Sequence, residues 1–245
     1  MLLEILDKDK GSSFIVKLYR DLEEWRRVIP FEAELSVWKE EVYFSTPVKL
    51  EFKPKELIHR VQAGHVYYWP PGKAMCLFYG LSEAYTPVAP IGLFIGPLAN
   101  LRTVESGDKA IVKEHIIYKE YSKIVDELTK RGYLVGTPLS EDSRIIVASK
   151  YIGKHRLSFN MYIEDYGYHV ETDSIIPYLG DYSSIAILRR LKELLKSTRL
   201  LRADVSEDNF IVVTSGVYDL DELWEAMEEL ERYYPLVLEE IFKTN

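Results

Sequence analysis

The first 117 residues form a succession of short strand-like segments broken by proline and glycine, and this pattern limits the possible folds more than any other feature. Residues 2–6 and 14–18 flank Asp9-Lys10-Gly11, a turn signal typical of a hairpin. A short helix is predicted at 20–28, ending before Pro30. Further strands are predicted at 32–38, 41–45, 64–69, 73–79, 91–95 and 109–117. So many short strands with one short helix predict a closed barrel or a sandwich.

Residues 118–245 have a different pattern, in which helices alternate with hairpins. Helices are predicted at 118–131, at 184–196 and from Asp219 to about Phe242, the last with a kink or break at Pro235. Strands are predicted at 144–152, 155–163, 166–171, 200–205 and 209–214. The order α-β-β-β-α-β-β-α predicts an antiparallel sheet covered by helices. The chain is therefore of the α+β class, with predicted domains at 1–117 and 118–245.

Charge and composition exclude several classes of function. Residues 1–117 carry 15 basic and 16 acidic side chains, residues 118–245 carry 16 and 23, and the whole chain has a net charge of −8. An acidic surface repels phosphate, so we expect no nucleic-acid partner. The single cysteine excludes a disulfide framework and a Cys-based zinc site. One glutamine among abundant Glu and Lys favours a thermophile source.

No apolar segment is long enough to cross a bilayer, so we expect no membrane partner. The first residues contain acids where a signal peptide has its apolar core, which predicts a cytoplasmic protein. The five histidines lack metal-binding spacing, and no phosphate-binding, dinucleotide-binding or serine-hydrolase motif occurs. We therefore predict no metal, no cofactor and no catalytic residue.

The densest group of unusual residues is the segment GHVYYWPPGKAMCLFYG at 64–80. The segment VYFSTPV at 42–48 precedes it, and PIGLFIG at 90–96 follows it. Together these segments resemble the cyclophilin-like β-barrel domain of an uncharacterised prokaryotic family, whose members share a YFSTPV strand, a YWPPGKA hairpin and a later glycine-bearing strand. The resemblance covers about residues 1–117 and implies an eight-stranded closed barrel related to the peptidyl-prolyl isomerases.

The resemblance does not imply isomerase activity. In true cyclophilins, a Phe-His-Arg strand and a Met-x-Gln strand face the substrate, and the arginine polarises the prolyl amide. The corresponding hairpin here reads Tyr67-Tyr68-Trp69 and Met75-Cys76-Leu77, so neither the arginine nor the glutamine is matched. We expect a binding protein without prolyl isomerase activity. A residual isomerase, or another enzyme, remains the alternative.

The three motif segments place several aromatic residues on neighbouring predicted strands. Such residues line concave sites for small molecules or extended peptides. The predicted ligand-binding residues are Phe44, Tyr68, Trp69, Pro70, Phe78, Tyr79 and Phe94. The alternative is that they fill the barrel, since side chains alternate along a strand and about half must point inward.

The last predicted helix suggests a second kind of role. Its pattern of Leu220, Glu222, Leu223, Ala226 and Leu230 resembles the α/β secretion-chaperone-like fold, seen also in bacterial sensory-transduction regulators. That resemblance implies a protein-binding or dimerising module in residues 118–245. A homodimer and a chaperone-like interaction are therefore kept as further possibilities.

Overall fold

The computed structural model describes residues 1–242 and shows an α+β protein, as the sequence predicts. It divides into two compact units, Met1–Arg144 and Ile145–Asn245. The elements of the first unit are β1 (Leu2–Asp7), β2 (Ser12–Leu18), α1 (Leu22–Arg26), β3 (Phe31–Glu34), β4 (Ser36–Trp38), β5 (Glu41–Ser45), β6 (His65–Trp69), β7 (Ala74–Phe78), β8 (Ala89–Ile95), β9 (Lys109–Glu114), α2 (Ser122–Lys130), β10 (Leu134–Gly136), β11 (Leu139–Ser140) and β12 (Ser143–Arg144). Short 3-10 helices lie at Pro54–Glu56, Leu98–Thr103 and Lys119–Tyr121.

Antiparallel strands of the first unit form a nearly closed barrel in the order β3-β9-β1-β2-β8-β6-β7-β5-β4. The two ends of this order are consecutive in the chain, separated by Leu35 alone. β3 pairs with β9, and β4 pairs with β5. At the bend, the Leu35 N–H donates to the carbonyl of Asp108 at 2.8 Å. Counted as one bent strand, β3 and β4 complete the eight-stranded barrel that the family resemblance implies.

The barrel interior is filled by alternate residues of the strands, as period-two geometry requires. Phe44 of β5, Tyr68 of β6 and Leu77 of β7 all belong to this core and are at most 1% exposed. α1 adds the fully buried Trp25. Close packing of β8 against β2 explains the glycine in the later motif strand, because a Cβ at Gly92 would lie 2.6 Å from the Lys17 carbonyl oxygen on β2.

A buried polar network ties residues after 117 to the barrel. The Glu4 carboxylate accepts hydrogen bonds from the Ser13 hydroxyl at 2.8 Å and from Arg144 at 3.0 Å. His115 accepts the Thr137 N–H through Nε2 at 3.1 Å, and its Nδ1 lies 3.5 Å from Glu4. The segment 118–144, including the helix predicted to open the second domain, therefore packs in the first compact unit. The assignment of 118–245 as one domain stays a prediction.

The second unit contains an antiparallel sheet with two helices packed against it. Its elements are β13 (Ile146–Ile152), β14 (His155–Glu164), β15 (Gly167–Thr172), β16 (Ile176–Pro177), α3 (Tyr182–Leu195), β17 (Arg202–Val205), β18 (Phe210–Val217) and α4 (Leu220–Ile241). The strand order is β13-β14-β15-β18-β16, and β17 also pairs with β18.

α4 begins where the sequence predicts. Asp219 caps it by accepting the Glu222 N–H at 2.9 Å, and Glu222 in turn accepts the Tyr218 N–H at 3.2 Å. The helix continues through Pro235 without the break that the sequence allowed for. The resemblance of this region to secretion-chaperone-like proteins stays a prediction.

Candidate ligand-binding site

Three neighbouring strands present a second set of side chains on the outside of the barrel. Pairing brings Tyr43 of β5 and Tyr67 of β6 to either side of Cys76 on β7. Phe78 pairs with Glu41 one step along the same face. These residues alternate with the core residues, so they point away from the barrel interior. Tyr67, Cys76 and Phe78 belong to a buried apolar cluster that is separate from the barrel core.

A cavity of about 300 Å³ lies on this outer face. Its lining residues are Trp38, Glu41, Tyr43, Trp69, Cys76, Ala84, Tyr85 and Val88. The Trp38 and Tyr85 rings meet edge to face with their centroids 6.2 Å apart. The lining therefore combines four aromatic rings with one ionisable carboxyl group, that of Glu41.

The loop after β7 forms one wall of the cavity, and hydrogen bonds hold it in place. Near its start, the Glu40 carboxylate accepts the N–H groups of Leu81 and Ser82 at 2.7 and 3.0 Å. Near its end, Val88 and Ile58 exchange backbone hydrogen bonds of 2.9 Å in each direction. Hydrogen bonds therefore hold both ends of the loop that carries Ala84 and Tyr85.

The proline-glycine turn after β6 positions Trp69. The indole Nε1 donates to the Thr86 hydroxyl at 2.7 Å, which links the ring to the loop wall. A Cβ at Gly72 would lie 2.4 Å from the indole ring, so only glycine lets the turn approach the ring this closely. The YWPPGK motif thus serves to hold one side of the cavity.

Glu41 and Cys76 form the polar part of the cavity lining. Glu41 is 7% exposed and lines the cavity together with Cys76. Burial raises the pKa of the Glu41 carboxyl, since the charged form loses hydration. Burial also raises the pKa of the Cys76 thiol well above its usual value, and the neighbouring Glu41 adds to that rise.

We expect the Cys76 thiol to be unreactive in the native protein, because a thiol that is buried and protonated is a poor nucleophile. A thiol reagent should label close to zero groups per chain in buffer and one group in denaturant. Cys76 is the only cysteine of the sequence, so the label reports on this position alone. Rapid stoichiometric labelling under native conditions would show that the thiol is accessible and ionised.

The structure distributes the predicted ligand-binding residues over different environments. Phe44, Tyr68 and Phe94 lie in the barrel core, where the Tyr68 hydroxyl donates to the Val48 carbonyl at 2.8 Å. Phe78 is buried in the outer cluster. Trp69 lines the cavity.

Two predicted residues lie at neither place. Pro70 is part of the turn and is partly exposed. The Tyr79 hydroxyl donates to the Lys39 carbonyl at 3.1 Å, and its ring packs against the barrel core. The role of all seven as ligand contacts stays a prediction.

Sequence reasoning missed seven of the eight cavity residues, among them Trp38, Glu41, Tyr43 and Tyr85. The alternation within β5 contained a signal, because a core Phe44 requires its neighbour Tyr43 to face outward. Tyr85 lies in a loop, where alternation gives no information.

Within residues 1–242, no cluster of three or more His, Cys, Asp or Glu side chains is arranged to hold a metal ion. Over the same residues, no helix is long and apolar enough to span a membrane.

Among the comparisons with known proteins, the family match bears on the first unit. The model of a family described as cyclophilin-like matches residues 6–113. The solution structure of a hypothetical protein, AF2241, from Archaeoglobus fulgidus is 28% identical, covers 46% of this chain and 94% of its own, and has a TM-score of 0.39. A structure of McbB in complex with tryptophan is 16% identical, covers 53% of this chain and 54% of its own, and has a TM-score of 0.38.

The comparison with curated proteins gave no match. The family match spans the barrel from the end of β1 to β9 and includes the three sequence segments on which the resemblance was based. Residues 6–113 of this chain are therefore similar to the cyclophilin-like family.

Proposed function

We propose that this protein binds a small organic molecule in the cavity outside β5, β7 and β6, without covalent chemistry. The observation that carries the proposal is a recess lined by four aromatic residues and one buried carboxyl group. Ligand sites in proteins combine a mostly apolar lining with a few placed polar groups in just this way.

The size of the recess favours a small molecule over a peptide. Its volume of about 300 Å³ is at the lower end of the range for small-molecule pockets. The Trp69 N–H, which could have held a peptide carbonyl, is already used by Thr86. A compact ligand of roughly one ring or a short branched chain is the best fit.

The lining does not support prolyl isomerisation as the preferred function. In true cyclophilins an arginine polarises the prolyl amide, and no cationic side chain is among the described residues that line the cavity. The proposal is therefore binding, with the ligand held by ring contacts and by Glu41.

Filling the cavity should abolish binding. A thermal-shift screen of small metabolites should identify compounds that raise the melting temperature of the wild-type protein. Ala84 lines the recess and is partly exposed, so Ala84→Trp should occupy the space without disturbing the barrel core. We expect every hit to lose its thermal shift with this variant, and its affinity by calorimetry to fall at least about a hundredfold.

Ala99→Trp is the matched control, since Ala99 is also partly exposed, lies in the same unit and does not line the cavity. It should respond to hits as the wild type does. If hits stabilise Ala84→Trp and the wild type equally, the cavity is not the binding site. If no compound class shifts the wild type, the proposed function fails.

A further inference from the structure

We infer that the ligand is an organic cation, a protonated amine or a quaternary ammonium group, held between the aromatic rings and the Glu41 carboxylate. This inference rests on the proposed function and specifies the chemistry of its ligand. It is carried by the composition of the cavity wall, in which four aromatic rings surround one buried carboxyl group and none of the lining residues is a cation.

The aromatic rings are the first contribution. The faces of Trp, Tyr and Phe rings carry negative potential, and cages of such rings are the common solution for binding alkylammonium groups. The cavity is lined by two tryptophans and two tyrosines, Trp38, Trp69, Tyr43 and Tyr85. Rings from β4, β5, β6 and the loop wall therefore approach the same space from four separate parts of the chain.

Trp38 already shows this preference within the protein itself. The Lys39 ammonium group lies 4.2 Å from the centroid of the Trp38 ring. Lys39 is not among the cavity-lining residues, so its charge does not occupy the recess. One cavity ring thus forms a cation–π contact in the absence of any ligand.

Glu41 is the second contribution. Glu41 is 7% exposed, and the neighbouring Cys76 thiol is uncharged because burial raises its pKa well above the usual value. The remaining lining residues are Ala84, Val88 and the four aromatic residues. A carboxylate with no cationic side chain among its cavity neighbours lacks a counter-ion, and a cationic ligand would supply one.

A neutral or anionic ligand would gain no electrostatic attraction from the aromatic rings and the Glu41 carboxylate. An anion would meet the Glu41 carboxylate, which repels negative charge, among aromatic rings whose faces carry negative potential. A neutral ligand of the same shape would gain the apolar contacts but not the ring-face and carboxylate attractions. The structure therefore predicts discrimination by charge at constant shape.

Three compounds of nearly equal shape test this discrimination: choline, its neutral carbon isostere 3,3-dimethylbutan-1-ol, and the anion 3,3-dimethylbutanoate. Isothermal titration of the full chain at low salt should show choline binding at least about tenfold more tightly than the alcohol, and no binding of the anion. Glu41→Gln should weaken choline binding roughly tenfold and leave the affinity for the alcohol unchanged.

Glu51→Gln is the matched control, because it removes the same charge from an 85% exposed side chain of the same unit outside the cavity. It should bind choline as the wild type does. Equal or tighter binding of the alcohol, or equal choline binding by Glu41→Gln, would overturn the inference while leaving the proposed function intact. Failure of all three compounds would also overturn it, whereas the proposed function is decided separately by the screen with Ala84→Trp.

Discussion

Glu4→Gln should lower the free energy of unfolding by about 3–5 kcal/mol at pH 7, as expected when one partner of a buried ion pair is removed. The Glu4 side chain is 3% exposed and that of Arg144 is 15% exposed. Glutamine keeps the size of the side chain but leaves the Arg144 guanidinium without its carboxylate. The loss is therefore electrostatic and does not come from a cavity.

The effect should be large because Glu4 is shared by several partners. Ser13 and Arg144 donate to one of its oxygens, while His115 and Lys113 lie 3.5 and 3.6 Å from the other. Four side chains from different parts of the first unit thus depend on one carboxylate. The variant removes the charge at the centre of the network and not at its edge.

The same network predicts the pH dependence of stability. Burial alone would raise the pKa of Glu4, but hydrogen bonds from His115, Ser13 and Arg144, together with the Arg144 charge, lower it to about 2 from 4.5. An acid with a depressed folded-state pKa contributes stability above its unfolded pKa and loses it as the pH falls through the folded value. The wild type should therefore lose stability between about pH 4.5 and pH 2, and Glu4→Gln should lose less over that window.

Urea unfolding at pH 7, 4 and 2.5 measures both effects. Glu32→Gln is the control, since Glu32 is 79% exposed and its contact with Lys8 is a surface ion pair. That variant should change the stability by less than about 0.5 kcal/mol. A loss below about 1 kcal/mol for Glu4→Gln, or a pH profile that matches the wild type, would show that the network contributes little.

The barrel could be predicted from the sequence because its signals are local. Turn residues such as Gly11 and Gly72 and the alternation along each strand fix where strands begin and end. The bend at Leu35 was not predicted, since it depends on a hydrogen bond to Asp108, 73 positions away in a different part of the sheet.

The attachment of residues 118–144 could not be predicted for the same reason. Glu4 and Arg144 are separated by 140 positions, and nothing in the sequence pairs one acid and one arginine out of many. The change from strand-like to helical pattern at Tyr118 is real, because the 3-10 helix and α2 follow it. Whether this change also marks a domain boundary stays a prediction.

The candidate site was predicted in part. Residue type selected aromatic residues on β5, β6, β7 and β8, and of these Trp69 lines the cavity. Residue type could not tell which face each aromatic occupies, so inward-facing Phe44 and Tyr68 were grouped with outward-facing Trp69. Glu41 was missed because an acid at the start of a strand usually faces water, and here the loop after β7 covers it.

Alanine substitutions at two adjacent residues of β5 distinguish a role in core packing from a role in ligand binding. Phe44→Ala should lower the free energy of unfolding by about 3–5 kcal/mol, because Phe44 is 1% exposed in the barrel core and its removal leaves a cavity there. Tyr43→Ala, one position away, should cost less stability because Tyr43 is partly exposed on the outer face. Urea unfolding of the two variants measures this difference.

Ligand binding should show the opposite order. Tyr43 lines the cavity, so its removal should weaken every hit from the thermal-shift screen, whereas Phe44→Ala should retain the affinity of the wild type at temperatures where it is folded. The two residues face opposite sides of one strand, so a single rule of side-chain alternation predicts both orders. The contrary result would be a free energy of unfolding for Phe44→Ala within about 1 kcal/mol of the wild-type value, together with a loss of ligand binding. In that case Phe44 contacts the ligand, and the assignment of the inner face as the core is wrong.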